Sequence, residues 1–273
     1  ALVDVRGQRF LHEERLNREG WDARASVETL DIRNGNWSLR LAEGDPGTIH
    51  LRGSIRGDAV LALRLTPSKP LVFFGTNGVS RKGAAPDAAS HYLTFPRLRV
   101  EGTLTLDGGD RQVGGEAWMD HEISSSQLDE GQVGWDWAGI QLQDGREIMA
   151  YRMRRRDGSA DPYSTLAWVD REGVVTHLGA ASFRWSGTGT WKSPGTGAVY
   201  PVPVKLETLD PADGQPVTLY LEPLFPAQEL TGGLGGVAYW EGACRVLDGR
   251  RREVGSAYVE LTGYARDLRE SFR

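Results

Sequence analysis

Large apolar side chains alternate with polar or small ones along most of this chain. Trp37-Ser38-Leu39-Arg40-Leu41 and Leu61-Ala62-Leu63-Arg64-Leu65 space their apolar residues two apart, and Leu98–Leu106 and Ile148–Met153 repeat the pattern. Period two sends successive side chains to opposite faces, so these segments predict strands with one buried and one wetter face. Compact turn signals stand between them: Asp107-Gly108-Gly109-Asp110, Gln143-Asp144-Gly145-Arg146, Arg156-Asp157-Gly158 and Leu247-Asp248-Gly249-Arg250. Asp-Gly between alternating runs predicts tight hairpins, because glycine accepts the positive φ they need. The expectation is an all-β meander that closes on itself or packs face to face. Helical periodicity is weak. Gly20–Leu30 reads as a short helix or an irregular strand, and Arg266–Arg273 as a charged tail with a final turn. The polar stretch Ser124–Glu130 suggests a boundary near residues 122–131, giving domains 1–122 and 123–273.

Composition sharpens this picture. Thirty-five glycines, thirteen prolines and twenty-four aromatics in 273 residues suit many turns joining aromatic strands rather than long helices. A net charge of -5 with no face-wide basic excess argues against nucleic acid as a partner. The run Arg152, Arg154, Arg155, Arg156 reads as a solvated strand end. The single cysteine, Cys244, excludes an internal disulfide and a cysteine-rich metal site. No stretch reaches the 18 or more apolar residues of a membrane helix, so no transmembrane segment is expected. Ala1-Leu2-Val3-Asp4 has neither an initiator Met nor a signal pattern, so either a leader has been removed or the chain starts partway into a longer product.

Three groups carry candidate chemistry. In Gly115-Glu116-Ala117-Trp118-Met119-Asp120-His121-Glu122, strand geometry puts Asp120 and Glu122 on the face of Trp118, with His121 opposite. A carboxyl beside an apolar wall is raised in pKa and can act as a general acid, but such groups also hydrogen-bond loop backbone at strand ends. In Gly134-Trp135-Asp136-Trp137 the two indoles share a face and the carboxylate lies opposite; they either wall an apolar pocket or pack a core. Tyr239-Trp240-Glu241-Gly242 and Tyr258–Tyr264 are aromatic strands with embedded glutamates. Glu241, Glu260 and Glu229 are expected in one inner polar cluster with Arg152 as counter-charge. No His-x-x-x-His or Cys-x-x-Cys pair, phosphate loop, dinucleotide fingerprint or nucleophile elbow is present, so neither a metal nor a cofactor is expected.

At these motifs the chain resembles the AttH and carotenoid 1,2-hydratase (CrtC-like) family. The likeness begins with Gly115–Glu122 and Val133–Trp137. It extends back through Pro67–Pro70, Gly78-Val79-Ser80-Arg81-Lys82-Gly83 and Ser90-His91-Tyr92. Forward, it runs through Trp191–Pro194, Tyr200-Pro201, Gln228-Glu229-Leu230, Tyr239–Gly242 and Glu260–Tyr264. The resemblance implies two lipocalin-like antiparallel β-barrels or sandwiches packed together, with a ligand region in or between them. It also implies a periplasmic or secreted protein, with the cytoplasm left open. Two departures stand out. An upstream block of relatives is missing, so the first barrel is expected to lack its initial strands. Ile123 stands where relatives commonly carry Trp.

Three functions follow as expectations. The first is a carrier of a hydrophobic, isoprenoid- or lipid-like small molecule lined by Trp118, Trp135, Trp137, Tyr151, Tyr239, Trp240 and Glu241. The second is a cofactor-independent lyase or cyclase, with Asp120 or Glu122 as acid and His121 or Asp136 as base. Trp135 and Trp137 would then face a developing cation. The third is an accessory protein of a membrane transporter complex, docking by an exposed apolar patch.

Overall fold

The computed structural model describes residues 1–124, 126, 128–233 and 236–268, with Pro46 described by its backbone alone. Almost every regular element is an antiparallel strand; a single helical turn, Ala180–Ser182, is the exception among the elements described. Gly20–Leu30 contains the short strand Ala23–Ala25. Of the expected charged tail, residues 269–273 lie outside the described residues. The chain divides into two compact units. One comprises Ala1–Pro70 and Arg97–Met119, the other Leu71–Pro96 and Asp120–Arg273. The long strand Ala89–Leu106 contributes to both.

The first unit is a meander. Its strands Ala23–Ala25, Asp31–Asn34, Trp37–Ala42, Asp45–Ile55 and Ala59–Pro67 neighbour one another in chain order, followed by parts of Ala89–Leu106 and Gly109–Ser124. The last two strands join through Asp107 (φ 52°) and Gly108 (φ 78°), the two positive angles that a two-residue type I′ hairpin demands. Not every Asp-Gly behaves this way. In the Leu247–Arg250 turn the left-handed residue is Arg251 (φ 63°), while Asp248 accepts the Arg250 and Arg252 amides.

The second unit is built on a ten-stranded sheet. Gln132–Leu142 lies between Glu147–Arg155 and Glu253–Leu261, and Tyr239–Asp248 follows Glu253–Leu261 in the sheet. One face carries the principal core: Ala138, Ile140, Leu142, Ile148, Ala150, Leu166, Trp168, Leu206, Leu221, Trp240, Val246 and Val259 are all buried there. Each such large side chain removed from water stabilises the fold by about 1.5–3 kcal/mol. Gly134 is dictated by close approach. A Cβ there would meet the Thr262 carbonyl oxygen at 2.5 Å, so only glycine lets the Trp135 amide reach Thr262 Oγ1 at 2.9 Å without displacement.

Candidate functional site

Alternation along Gln132–Leu142 sends Asp136 and Ala138 into the core and leaves Trp135 and Trp137 half-buried on the other face. Register then assembles a site on that second face. Trp137 lies opposite Tyr151 on one neighbouring strand and Glu260 on the other, and Glu260 lies opposite Glu241. Tyr239 and Tyr258, each two residues from one of these glutamates, share the face.

The segment Leu71–Pro96 is stitched onto this face by side chains. The Trp137 indole N–H donates to the Tyr92 hydroxyl at 2.9 Å, and Ser80 Oγ and the Tyr151 hydroxyl lie 2.9 Å apart. Gln132 and Gln141 donate to the carbonyls of Lys82 (2.7 Å) and Pro96 (2.8 Å). Tyr92 and Lys82 are buried by this docking. The Lys82 ammonium stands over the Tyr151 ring at 4.1 Å and the Tyr92 ring at 4.8 Å, and pairs with Glu122 at 2.8 Å. Ser90 Oγ also donates to Glu122.

Asp120 accepts from the Tyr92 hydroxyl at 3.0 Å and from Thr94 Oγ1 at 2.5 Å. Asp120 and Glu122 are both solvent-exposed, so the face has an open, acidic margin. Its floor is different. Burial pushes the Glu260 carboxyl up to about 8, Glu241 adds repulsion, and the 2.9 Å hydrogen bond from Trp135 Nε1 pulls only partly against them. Asp120 and Glu122 raise it further. Burial likewise raises Glu241, and raises the Tyr92 hydroxyl well above its ordinary value. This aromatic floor therefore holds a carboxyl of raised pKa within electrostatic reach of Glu241, Asp120 and Glu122, an arrangement suited to moving protons.

The sequence-derived candidates separate into groups. Asp120, Glu122, Trp135, Trp137, Tyr151, Tyr239 and Glu241 belong to the second unit and, Asp120 and Glu122 through Tyr92, Ser90 and Lys82, to this face. His121 is exposed on the same strand as its acidic neighbours. Trp118 belongs to the first unit. Trp240 is fully buried in the core, its indole N–H donating to the Pro226 carbonyl at 2.7 Å. Asp136 is also fully buried. It is held by Arg152 (2.9 Å), Arg154 (3.0 Å) and the Tyr264 hydroxyl (2.8 Å).

Two expectations are corrected here. The three glutamates form no single cluster, because Glu229 pairs with Trp240 and so turns to the core, whereas Glu241 and Glu260 face away from it. Glu229 accepts from Ser193, Thr196 (2.6 Å) and Tyr200 (2.8 Å), and the Tyr200 and Tyr264 rings lie 5.4 Å apart. The arginine run divides: Arg155 and Arg156 are exposed at the strand end as expected, whereas Arg152 and Arg154 are not. Arg152 and Arg154 turn inward to Asp136. Burial pushes Asp136 upward against the pull of Arg154 and Arg152.

Lys82, Tyr92 and Thr94 were assigned no chemistry from sequence. Ser80–Gly83 and Ser90–Tyr92 carried the family likeness, but nothing local reveals which strand they dock on. Among the described residues no group of three or more His, Cys, Asp or Glu side chains is arranged to hold a metal ion.

The first unit has a cavity of about 420 Å³, lined by Leu39, Leu51, Leu63, Leu98, Val100 and Trp118 among others, with Glu116 as its charged member. Glu116 is paired with Arg97.

The AttH-like family model matches residues 1–264. The chain belongs to the AttH-like family. A crystal structure of an AttH protein from Nitrosomonas europaea superposes with a TM-score of 0.83 at 34% identity, covering 93% of this chain and 76% of that one. Kievitone hydratase from Nectria haematococca has a TM-score of 0.68 at 16% identity, covering 87% and 71% of the two chains, a likeness of fold alone. No curated protein matches. This AttH-like chain therefore has the lipocalin-like fold that its motifs imply.

Proposed function

We propose that this AttH-like protein binds an apolar, unsaturated small molecule against Trp135 and Trp137 and transfers protons to it without a cofactor, as a hydro-lyase or cyclase does. The observation that carries the reading is Glu260, a carboxyl raised to about 8 on an aromatic floor and bonded by Trp135. In a hydration, Glu260 would give its proton to one alkene carbon. Water would bond to the resulting cation, and the proton lost from that water would pass to Asp120 or Glu122. The aromatic faces favour the transient positive charge. A hydratase among proteins of the same fold is in keeping with this chemistry.

Carriage without turnover is the second reading, favoured by the apolar cavity of the first unit. Mass spectrometry of material extracted from the purified protein identifies the ligand class. Incubation of that compound in deuterated water then separates the readings. Deuterium incorporated at carbon by the native protein, and lost in Glu260→Gln, supports proton transfer. Retained binding with no incorporation leaves carriage alone.

A further inference from the structure

We infer that His177 is a positioning residue: its neutral imidazole latches the turn at Gly75, and through it Tyr92, onto the sheet of the second unit, and protonation opens the latch. The Gly75 amide donates to His177 Nε2 at 2.8 Å. That nitrogen accepts only while its lone pair is free, so the ring must carry its proton on Nδ1. A second proton would set an N–H against an N–H.

The turn has little room to adjust around this contact. Gly75 has φ 85°, and a Cβ on it would lie 2.1 Å from the Val79 carbonyl oxygen. Thr76 and Val79 exchange backbone hydrogen bonds of 3.0 Å in both directions. Next to Gly75, the fully buried Phe74 stands edge-on to His177 (6.2 Å) and to Tyr92 (5.1 Å). Its amide donates to the Tyr92 carbonyl at 3.0 Å, and the Tyr92 amide donates to Gly78 at 3.2 Å. A shift at Gly75 is thus passed to the tyrosine whose hydroxyl joins Trp137 to Asp120.

Among the described residues, burial is what shifts the imidazole, with no charged neighbour contributing. The turn Leu71–Ser80, the neighbouring strand Thr165–Val169 and the histidine's own strand Val175–Gly179 contain no charged residue besides His177. Burial against the turn favours the neutral ring, lowering its pKa from 6.5. The exposed part of the ring leaves it in contact with solvent protons. The latch needs only the fold; its bearing on proton transfer rests on the function proposed above.

Amide hydrogen exchange at Gly75, corrected for intrinsic rates, tests it without any substrate. Protection in the native protein should fall between pH 7 and pH 5 by roughly three- to tenfold, the worth of one hydrogen bond. His177→Gln keeps an acceptor that does not titrate and should hold protection level across this range. His177→Phe should lose it at both pH values. The Tyr92 ring resonances should follow the same titration in the native protein and not in His177→Gln. An equal pH-dependent loss in His177→Gln overturns the latch, as does a Tyr92 environment blind to the titration. Nitrogen-15 titration of the native imidazole gives a reading independent of any variant: a pKa below 6.5 with the neutral proton on Nδ1 supports the latch, and a pKa at or above 6.5 or a proton on Nε2 overturns it.

Discussion

Replacing Asp136 with Asn asks whether this carboxylate holds the core or serves the chemistry. The side chain is fully buried and touches two guanidiniums and a phenol. Asn fills nearly the same volume and can still accept from Tyr264, so the lost quantity is charge. Arg154 and Arg152 would be left facing each other inside the protein, their nearest carboxylate gone. Removing one partner of a buried ion pair costs about 3–5 kcal/mol, because the remaining charge is desolvated and uncompensated. For a unit of this size that corresponds to a fall in Tm of roughly 10 °C. Guanidinium unfolding followed by tryptophan fluorescence, with a parallel calorimetric scan, measures it. Well below the transition, ligand binding at the Trp135–Trp137 face should persist, since Asp136 lies on the opposite side of its strand. A loss under 1 kcal/mol would refute the uncompensated-charge argument. Full stability with abolished turnover would instead return Asp136 to the catalytic role that its sequence neighbourhood suggests.

Other expectations concern neighbouring elements. Glu260 has a folded pKa near 8 against an ordinary value of 4.5. The stability linked to its protonated form is therefore complete below about pH 4.5 and is lost as pH rises toward 8. Glu260→Gln should flatten that decline in urea midpoints measured from pH 5 to 8.5. Tyr200→Phe removes one of three hydroxyls from the buried Glu229 carboxylate and should cost about 1–3 kcal/mol in the same assay. Gly134→Ala forces a Cβ against the Thr262 carbonyl and should destabilise by about 1–3 kcal/mol, visible as slower-protected amides at Trp135 and Thr262 giving way to fast exchange.

Much of the fold was legible because strands with two distinct faces write their period into the sequence. Trp37–Leu41, Leu61–Leu65 and Ile148–Met153 all lie in strands, though Ile148–Met153 is buried on both faces rather than one, and Asp107-Gly108 makes the tight hairpin its residues demand. The opposition of Asp136 to Trp135 and Trp137 was readable for the same reason. Partners across the sheet were not. Whether Arg152 meets Glu241 or Asp136 depends on which face each strand offers, and three glutamates of equal appearance divide between a hydroxyl nest and an aromatic floor. Lys82 and Tyr92 escaped attention because their chemistry comes from docking on strands forty or more residues away, which no local pattern records.

The second unit takes its Lys82 and Tyr92 from a segment that precedes the last strands of the first. This interleaving has a consequence in time. A ribosome adding about 5–20 residues per second releases Pro96 roughly ten to thirty seconds before Leu261, the end of the strand that carries Glu260. Through the first part of that interval, until residues 132–155 have emerged, Phe74, Tyr92 and the Lys82 ammonium have no sheet to bury them, while the Gly109–Ser124 hairpin partner is already available to Ala89–Leu106. Synthesis therefore favours an early intermediate with a wet aromatic segment trailing from a formed meander. A gene fragment starting at Asp120 would encode the opposite species, a sheet whose Trp135–Trp137 face is bare.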